Sequence, residues 1–347
     1  MKENKRIVSM DLIRIFSCIC VISCHFNACV SGLNNGVFVY PNSVIPNFFL
    51  GNRLYLGDIG TSLFFMLSGA SSMLSYKKGN ARLFYKKRLQ SLYPMFYVAY
   101  ACATIADFFI QKGFTGADWK LFLFSLFGMD GYLASLGFIG YDFYKLGEWF
   151  LGCILLLYLI FPLLYKCLDE KPICTTVFVF GAYICYEISV HMLGIAVASN
   201  SFFLRIPELL LGMLFIKYNL QRKTKVTLGI ASIAAALGWL LRNCITPLSF
   251  CICICMLLFA SMTWIGNNIT DKMIPKILTG LSGLTYPVFL AHHWLISRLV
   301  IGFDIGNMSR RSSIAFYAIF LLLSFVLAAL LRRMTKKITN ALGNLMA

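Results

Sequence analysis

Apolar runs of about twenty residues, separated by short polar stretches, fill almost the whole chain. They lie at 7–30, 56–76, 89–111, 147–168, 172–194, a short 202–217, 226–243, 247–266, 278–302 and 312–331. A helix needs roughly 20 such residues to cross a bilayer, whereas a membrane barrel shows alternation in segments of about ten. The pattern predicts an all-α fold, a polytopic membrane bundle of about ten transmembrane helices, with 1–347 forming a single membrane domain. Between the runs, 31–55 and 112–146 are the longest connections, and Trp119 to Phe127 within the second is too short to span.

The first run is interrupted by polar residues. Asp11, Arg14 and His25 sit inside it, and a central Arg or Asp costs roughly 2.5–3.5 kcal/mol on insertion scales. Residues that costly face a protein interior and mark a site. Arg14 and His25 are eleven residues apart, three turns plus about 20°, so they share one face and lie about 16 Å apart along the axis. Asp11, one turn before Arg14, is placed to pair with it.

Charge adds orientation. The formal charge is +17, from 31 Lys+Arg against 14 Asp+Glu. The cations fall in blocks between runs: Lys2, Lys5 and Arg6; Lys77 to Arg88; Lys217 to Lys225; and Arg332 to Lys337. The positive-inside rule and attraction to anionic lipid account for these blocks, so no nucleic-acid partner is expected. Both termini then lie in the cytoplasm of a multi-pass protein of the inner (plasma) membrane, with Arg310 and Arg311 as a small violation of the rule. The chain contains 13 cysteines, but Cys251, Cys253 and Cys255 fan around a helix, and no spacing matches a metal site. No metal site is expected from these spacings. The charges inside the first run also argue against a cleaved signal peptide.

Histidine, the usual general base near neutral pH, occurs only at 25, 191, 292 and 293. A lone membrane histidine serves equally well as an interhelical hydrogen-bond donor. His292 and His293 are adjacent and point about 100° apart, which predicts that they do not share a site. His191, one turn beyond Glu187, reads as that residue's local partner. Gly60 to Gly69 read as a close-packing surface, and Arg205 with Glu208 as a self-neutralising pair one turn apart. Walker A, G-x-S-x-G and H-E-x-x-H motifs are missing from the sequence.

Taken together, these motifs resemble the acyltransferase-3 family of polytopic membrane enzymes. Asp11-Leu-Ile-Arg14 with His25 is similar to its first-helix Arg, ten residues, His pattern, and Phe64-Phe65-Met-Leu-Ser68-Gly69 to its second-helix signature. Leu92-Tyr93-Pro94, Glu148-Trp149-Phe150-Leu151 through Pro162, Arg205-Ile-Pro-Glu208 through Gly212, and Leu284-Thr285-Tyr286 through His292 follow in the family's order. The basic loop departs from the family: Arg88-Leu-Gln-Ser91 has serine where a second arginine is common, and a lysine nearby lacks arginine's bidentate geometry.

The resemblance implies transfer of an acyl group, acetyl in the first instance, from acyl-CoA to a hydroxyl of a cell-surface polysaccharide or lipid-linked sugar. Acetyl-CoA is then a co-substrate, with no tightly bound cofactor. His25 is the implied general base, an acyl-histidine being the other open route, and Arg14 is its catalytic companion, oxyanion stabiliser or helix anchor. A cytoplasmic CoA would keep its phosphates near Arg14 and the 77–88 block, with its pantetheine arm reaching toward His25. Asp11, Ser68, Arg88, Tyr93, Glu148, Arg205, Glu208, Tyr286 and His292 are the expected substrate- or donor-binding and orienting residues. A transporter with a buried ionisable pathway is the alternative, although the sequence lacks an inverted repeat. A catalytically silent relative serving as an assembly partner is weaker still, because the Arg14/His25 pair is intact. Oligomeric state and the acceptor are not readable from the sequence.

Overall fold

Helices account for nearly every long element of the chain, as its apolar periodicity requires. The computed structural model describes residues 7–31, 33–34, 37–38, 48–50, 53–112, 119–140, 146, 149–195, 197–302 and 308–345. Helix α1 (Val8–Ser31) is followed by two short antiparallel pairs, β1 (Leu33–Asn34) with β2 (Val37–Phe38) and β3 (Phe48–Phe49) with β4 (Leu54–Tyr55). Then come α2 (Leu56–Ser75), α3 (Ala81–Gln111), a 3₁₀ turn (Trp119–Leu121), α4 (Phe122–Leu126) and α5 (Asp130–Ser135). The rest is α6 (Trp149–Glu170), α7 (Pro172–Leu193), α8 (Phe202–Lys217), α9 (Thr224–Leu240) and α10 (Pro247–Asn267). After these come α11 (Met273–Ser282), α12 (Thr285–Gly302) and α13 (Arg310–Leu345).

Each of the ten expected segments is helical. Six helices, α1, α3, α6, α7, α10 and α13, are long and apolar enough to cross a membrane, and α11 with α12 makes a seventh if they form one broken span. Of the remaining expected spans, α2 has 20 residues but many are polar or small, and α8 and α9 have 16 and 17, short of the roughly 20 needed to cross unaided. The protein is a multi-pass helical membrane protein.

Boundaries shift for physical reasons. Helix α3 starts at Ala81 instead of 89, because Asn80 Oδ1 accepts from the Leu83 amide at 2.9 Å and starts the helix inside the basic block. Helix α13 runs past the apolar stretch to Leu345, since lysine and arginine are good helix formers. The expected single helix over 278–302 is interrupted at Gly283 and Leu284.

Contacts divide the chain into two units. The first holds α1 to Val21, β3, β4, α2, the start of α3, and the stretch from Cys153 in α6 to Ser282 in α11. Its centre is the pairing of α2 with α8. A Cβ on Gly69 would overlap the Leu209 carbonyl, and one on Gly212 would overlap the Met66 carbonyl. Two backbones therefore approach through reciprocal glycines, the small-residue packing that membrane helices use. Gly60 meets Ser17 and Val21 of α1 in the same way, and α9 lies along α10, where Gly238 faces Cys253.

The second unit holds α1 from Ile22, β1, β2, α3 from Tyr85, α4, α5, the first residues of α6, and α12 and α13. Helix α12 packs on α13. Phe26 of α1 meets the rings of Tyr317, Phe320 and Phe316 on α13 at 5.0, 5.3 and 5.8 Å, and Ser23 hydrogen-bonds Tyr317. Those contacts fix the register of α1 on either side of His25.

Candidate active site

In the second unit, His25 of α1 faces both histidines of α12. Its ring centroid is 5.2 Å from that of His292 and 4.2 Å from that of His293, and the two α12 rings are 4.8 Å apart. Adjacent residues do leave a helix about 100° apart, but a third ring placed between those directions reaches both. The expectation that His292 and His293 cannot share a site is therefore corrected. His292 is fully buried, while His25 and His293 are partly exposed. His292 Nδ1 lies 2.7 Å from the Phe289 carbonyl and 3.2 Å from that of Val288. A carbonyl only accepts, so Nδ1 carries the proton and, in the neutral ring, Nε2 carries the lone pair.

Other α12 residues hold that cluster in place. Asp107 of α3, 3% exposed, accepts from Arg298 at 2.5 Å and from Trp294 Nε1 at 2.9 Å. Trp294 directly follows His293, so this carboxylate ties the histidine face of α12 to α3. Tyr286, at the start of α12, donates to the Leu92 carbonyl at 3.1 Å, two residues before Pro94. Tyr93 donates to the Phe127 carbonyl at 3.1 Å and Tyr97 to that of Leu126 at 3.0 Å, holding α3 to the end of α4. Ser125 and Asp130 close the α4–α5 corner at 2.6 Å. Arg88 lies half-buried on α3, in the turn before Tyr93.

The first unit contains two further polar groups. Asp11, 1% exposed, lies 3.5 Å from Arg14 Nη1, as their spacing implies. Thr279 of α11 donates to Asp11 at 3.1 Å and Arg14 donates to Ser282 at 3.0 Å, so the pair fastens α1 to α11. On α8, the fully buried Arg205 donates to Glu208 at 3.1 Å, to Asp58 of α2 at 3.1 Å and to Ser62 at 3.4 Å. Its guanidinium lies 5.6 Å from the centre of the Phe65 ring. Ser68 is half-buried on α2 beside Gly69. Glu148 falls outside the described residues.

The model of the acyltransferase-3 family, described as an acyltransferase domain, matches residues 7–333. The chain belongs to this family. No curated protein and no solved structure gives a significant match. Family membership makes the protein a membrane acyltransferase, and its first- and last-motif histidines, 25 and 292, meet in the second unit together with His293.

Several residues of this acyltransferase's polar groups escape sequence reasoning. Asp58 and Ser62 lie on α2, Ser62 within the Gly60 to Gly69 stretch read from sequence as a packing surface, yet both engage Arg205. The one available signal was Asp58, an acid at the edge of an apolar run, seven residues before Phe65. His293 follows the family motif without belonging to it. Asp107, Trp294 and Arg298 pair across 187 and 191 positions of sequence, a distance that no local pattern spans. Glu187, read as the partner of His191, instead accepts from the Thr246 amide at 2.9 Å, from the Thr246 hydroxyl at 2.6 Å and from Ser249. It holds Thr246, the residue that caps α10, while His191 is exposed. In the loop ahead of α3, Lys78 is raised above its ordinary pKa by its hydrogen bond to Asp169 at 2.6 Å and by that residue's charge.

Proposed function

We propose that this acyltransferase moves an acetyl group from acetyl-CoA to a hydroxyl of a cell-surface polysaccharide or lipid-linked sugar, with His25 as general base. The observation that carries this reading is the position of His25: partly exposed, on the first helix of an acyltransferase, its ring against two other imidazoles. A neutral imidazole takes the proton of the acceptor hydroxyl as its oxygen attacks the thioester carbonyl. The new C–O bond forms, the tetrahedral intermediate collapses, and the C–S bond breaks. The imidazolium returns its proton to the departing CoA thiolate. Atoms and charge balance without an acyl-enzyme or a bound cofactor.

In this reading the other residues orient. His292, buried and anchored through Nδ1 to the Phe289 carbonyl, holds one wall of the base's surroundings. Tyr286 and Tyr93 fasten the start of α12 and the end of α4 to the middle of α3, and Arg88 with Lys86 and Lys87 supplies positive charge for CoA phosphates. Arg14, tied to Asp11 and Ser282, acts as an anchor of α1, and the Arg205–Glu208–Asp58 group with Ser68 organises the helices around it. In this reading the enzyme sits in the cytoplasmic membrane with both termini inside, an orientation that the basic blocks support by the positive-inside rule and that gives access to acetyl-CoA.

The test is direct. Purified protein in liposomes is supplied with acetyl-labelled acetyl-CoA and a panel of oligosaccharide and lipid-linked sugar acceptors. Label in an alkali-labile ester on an acceptor supports the reading; release of CoA without an acylated acceptor, or label in an amide, contradicts it.

A further inference from the structure

Three histidines that face one another do more than supply a base. We propose that His25, His292 and His293 form a binding site for a divalent transition-metal cation of the zinc class. One ring nitrogen from each residue lies within 4.8 Å of those of the other two. A tetrahedral ion held at 2.0–2.1 Å needs nitrogens about 3.4 Å apart, so the rings have to close by at most about 1.4 Å, a movement small enough for side-chain rotation. The ring planes are tilted to one another by 48°, 58° and 55°, which lets their edges converge on one point; rings stacked face to face would not.

The protonation pattern fits as well. A metal-bound imidazole characteristically donates its other ring N–H to a carbonyl or carboxylate, which fixes both tautomer and orientation. His292 does this through Nδ1 and the Phe289 carbonyl at 2.7 Å, leaving Nε2 as its ligand atom. The nearest cation on α12, Arg298, is already neutralised by Asp107 at 2.5 Å. Partial exposure of His25 and His293 gives the ion access.

Imidazole nitrogen selects zinc, copper, nickel or iron over the hard cations magnesium and calcium. Three protein ligands leave a fourth position open for water or a substrate oxygen. The sequence does not show this site, because its ligands come from two helices 267 residues apart, one of them contributing neighbouring positions (His25 and His292). The metal site stands whether or not His25 is the catalytic base.

The experiment uses the full-length protein purified in detergent and stripped with a chelator, then titrated with Co²⁺ followed by optical absorption and with Zn²⁺ followed by calorimetry. The expected result is one ion per chain, visible d–d bands without a thiolate charge-transfer band, and displacement of cobalt by zinc. Each of His25→Gln, His292→Gln and His293→Gln should weaken binding at least tenfold, and Mg²⁺ should not compete. His293→Gln alters a partly exposed residue, so it reports even if the buried variant fails to fold. A thiolate band overturns the proposal and assigns the binding to cysteines; wild-type affinity in His25→Gln and His293→Gln overturns it as well.

Discussion

His293 lies closer to His25 than His292 does, 4.2 Å against 5.2 Å between ring centroids, although only His292 belongs to the family's motif. The base proposed for acyl transfer is therefore one corner of a triangle of imidazoles, with both neighbours on its α12 side. One neighbour is buried and anchored to its own helix; the other is partly open. Both contacts constrain the orientation of the His25 ring.

If an ion binds the three histidines, it takes the lone pair that His25 needs. Micromolar Zn²⁺ should lower acyl transfer and a chelator should restore it, as assayed by labelled product in liposomes. Inhibition should weaken at least tenfold in His293→Gln. Zinc that binds tightly yet leaves the rate unchanged would remove His25 as base while leaving the metal site intact.

Asp107 holds α12 through Arg298 and Trp294. Asp107→Ala leaves a largely buried guanidinium without its carboxylate, and breaking a buried pair in this way costs about 3–5 kcal/mol. The double variant Asp107→Ala/Arg298→Met should recover part of that loss, giving a coupling energy of about 0.5–3 kcal/mol in a double-mutant cycle. Thermal unfolding in detergent measures it, and additive losses would show that the pair does not couple.

Arg205 is the only described cation that is fully buried, and it answers to two carboxylates and a hydroxyl. Arg205→Met should leave Asp58 and Glu208 facing each other, lowering stability by about 3–5 kcal/mol. Arg205→Lys should rescue only partly, since one ammonium does not reproduce the fork that reaches Glu208 and Asp58. Comparison of the three melting curves tests the order wild type, lysine, methionine.

Gly69 and Gly212 form a reciprocal contact in which a side chain on either would strike backbone. Alanine at either position should lower the folded yield by forcing α2 and α8 apart, with an overpacking cost of about 1–3 kcal/mol or more. Gly79, in open space, is the control, replaced by Asn to suit its positive φ. Size-exclusion profiles and melting temperatures of the three variants distinguish the outcomes.

The helices were legible because each membrane run is its own signal: a lipid-facing or core-facing segment must be apolar along its length. Asp11 with Arg14 and Arg205 with Glu208 were legible too, because both pairs are three residues apart on one helix. Residues that meet across distant helices were not. Asp58 with Arg205 and Asp107 with Arg298 are set by packing that only the folded chain defines. The angle between His292 and His293 misled for a related reason: helical phase tells where a side chain starts, and the position of a third ring decides whether two of them meet. The count of spanning segments depends on α2, α8, α9 and the broken α11–α12 stretch, which are shorter, more polar or interrupted.

The most direct measurement concerns His25 itself. Acetyl transfer from acetyl-CoA by His25→Gln, at wild-type protein levels and melting temperature in liposomes, should fall by about 10²–10⁴-fold, the usual worth of a general base. Glutamine preserves polarity and much of the volume while losing the proton acceptor, so a fold defect would show separately in the melting curve. A folded His25→Gln protein that acetylates its acceptor at the wild-type rate would contradict the assignment.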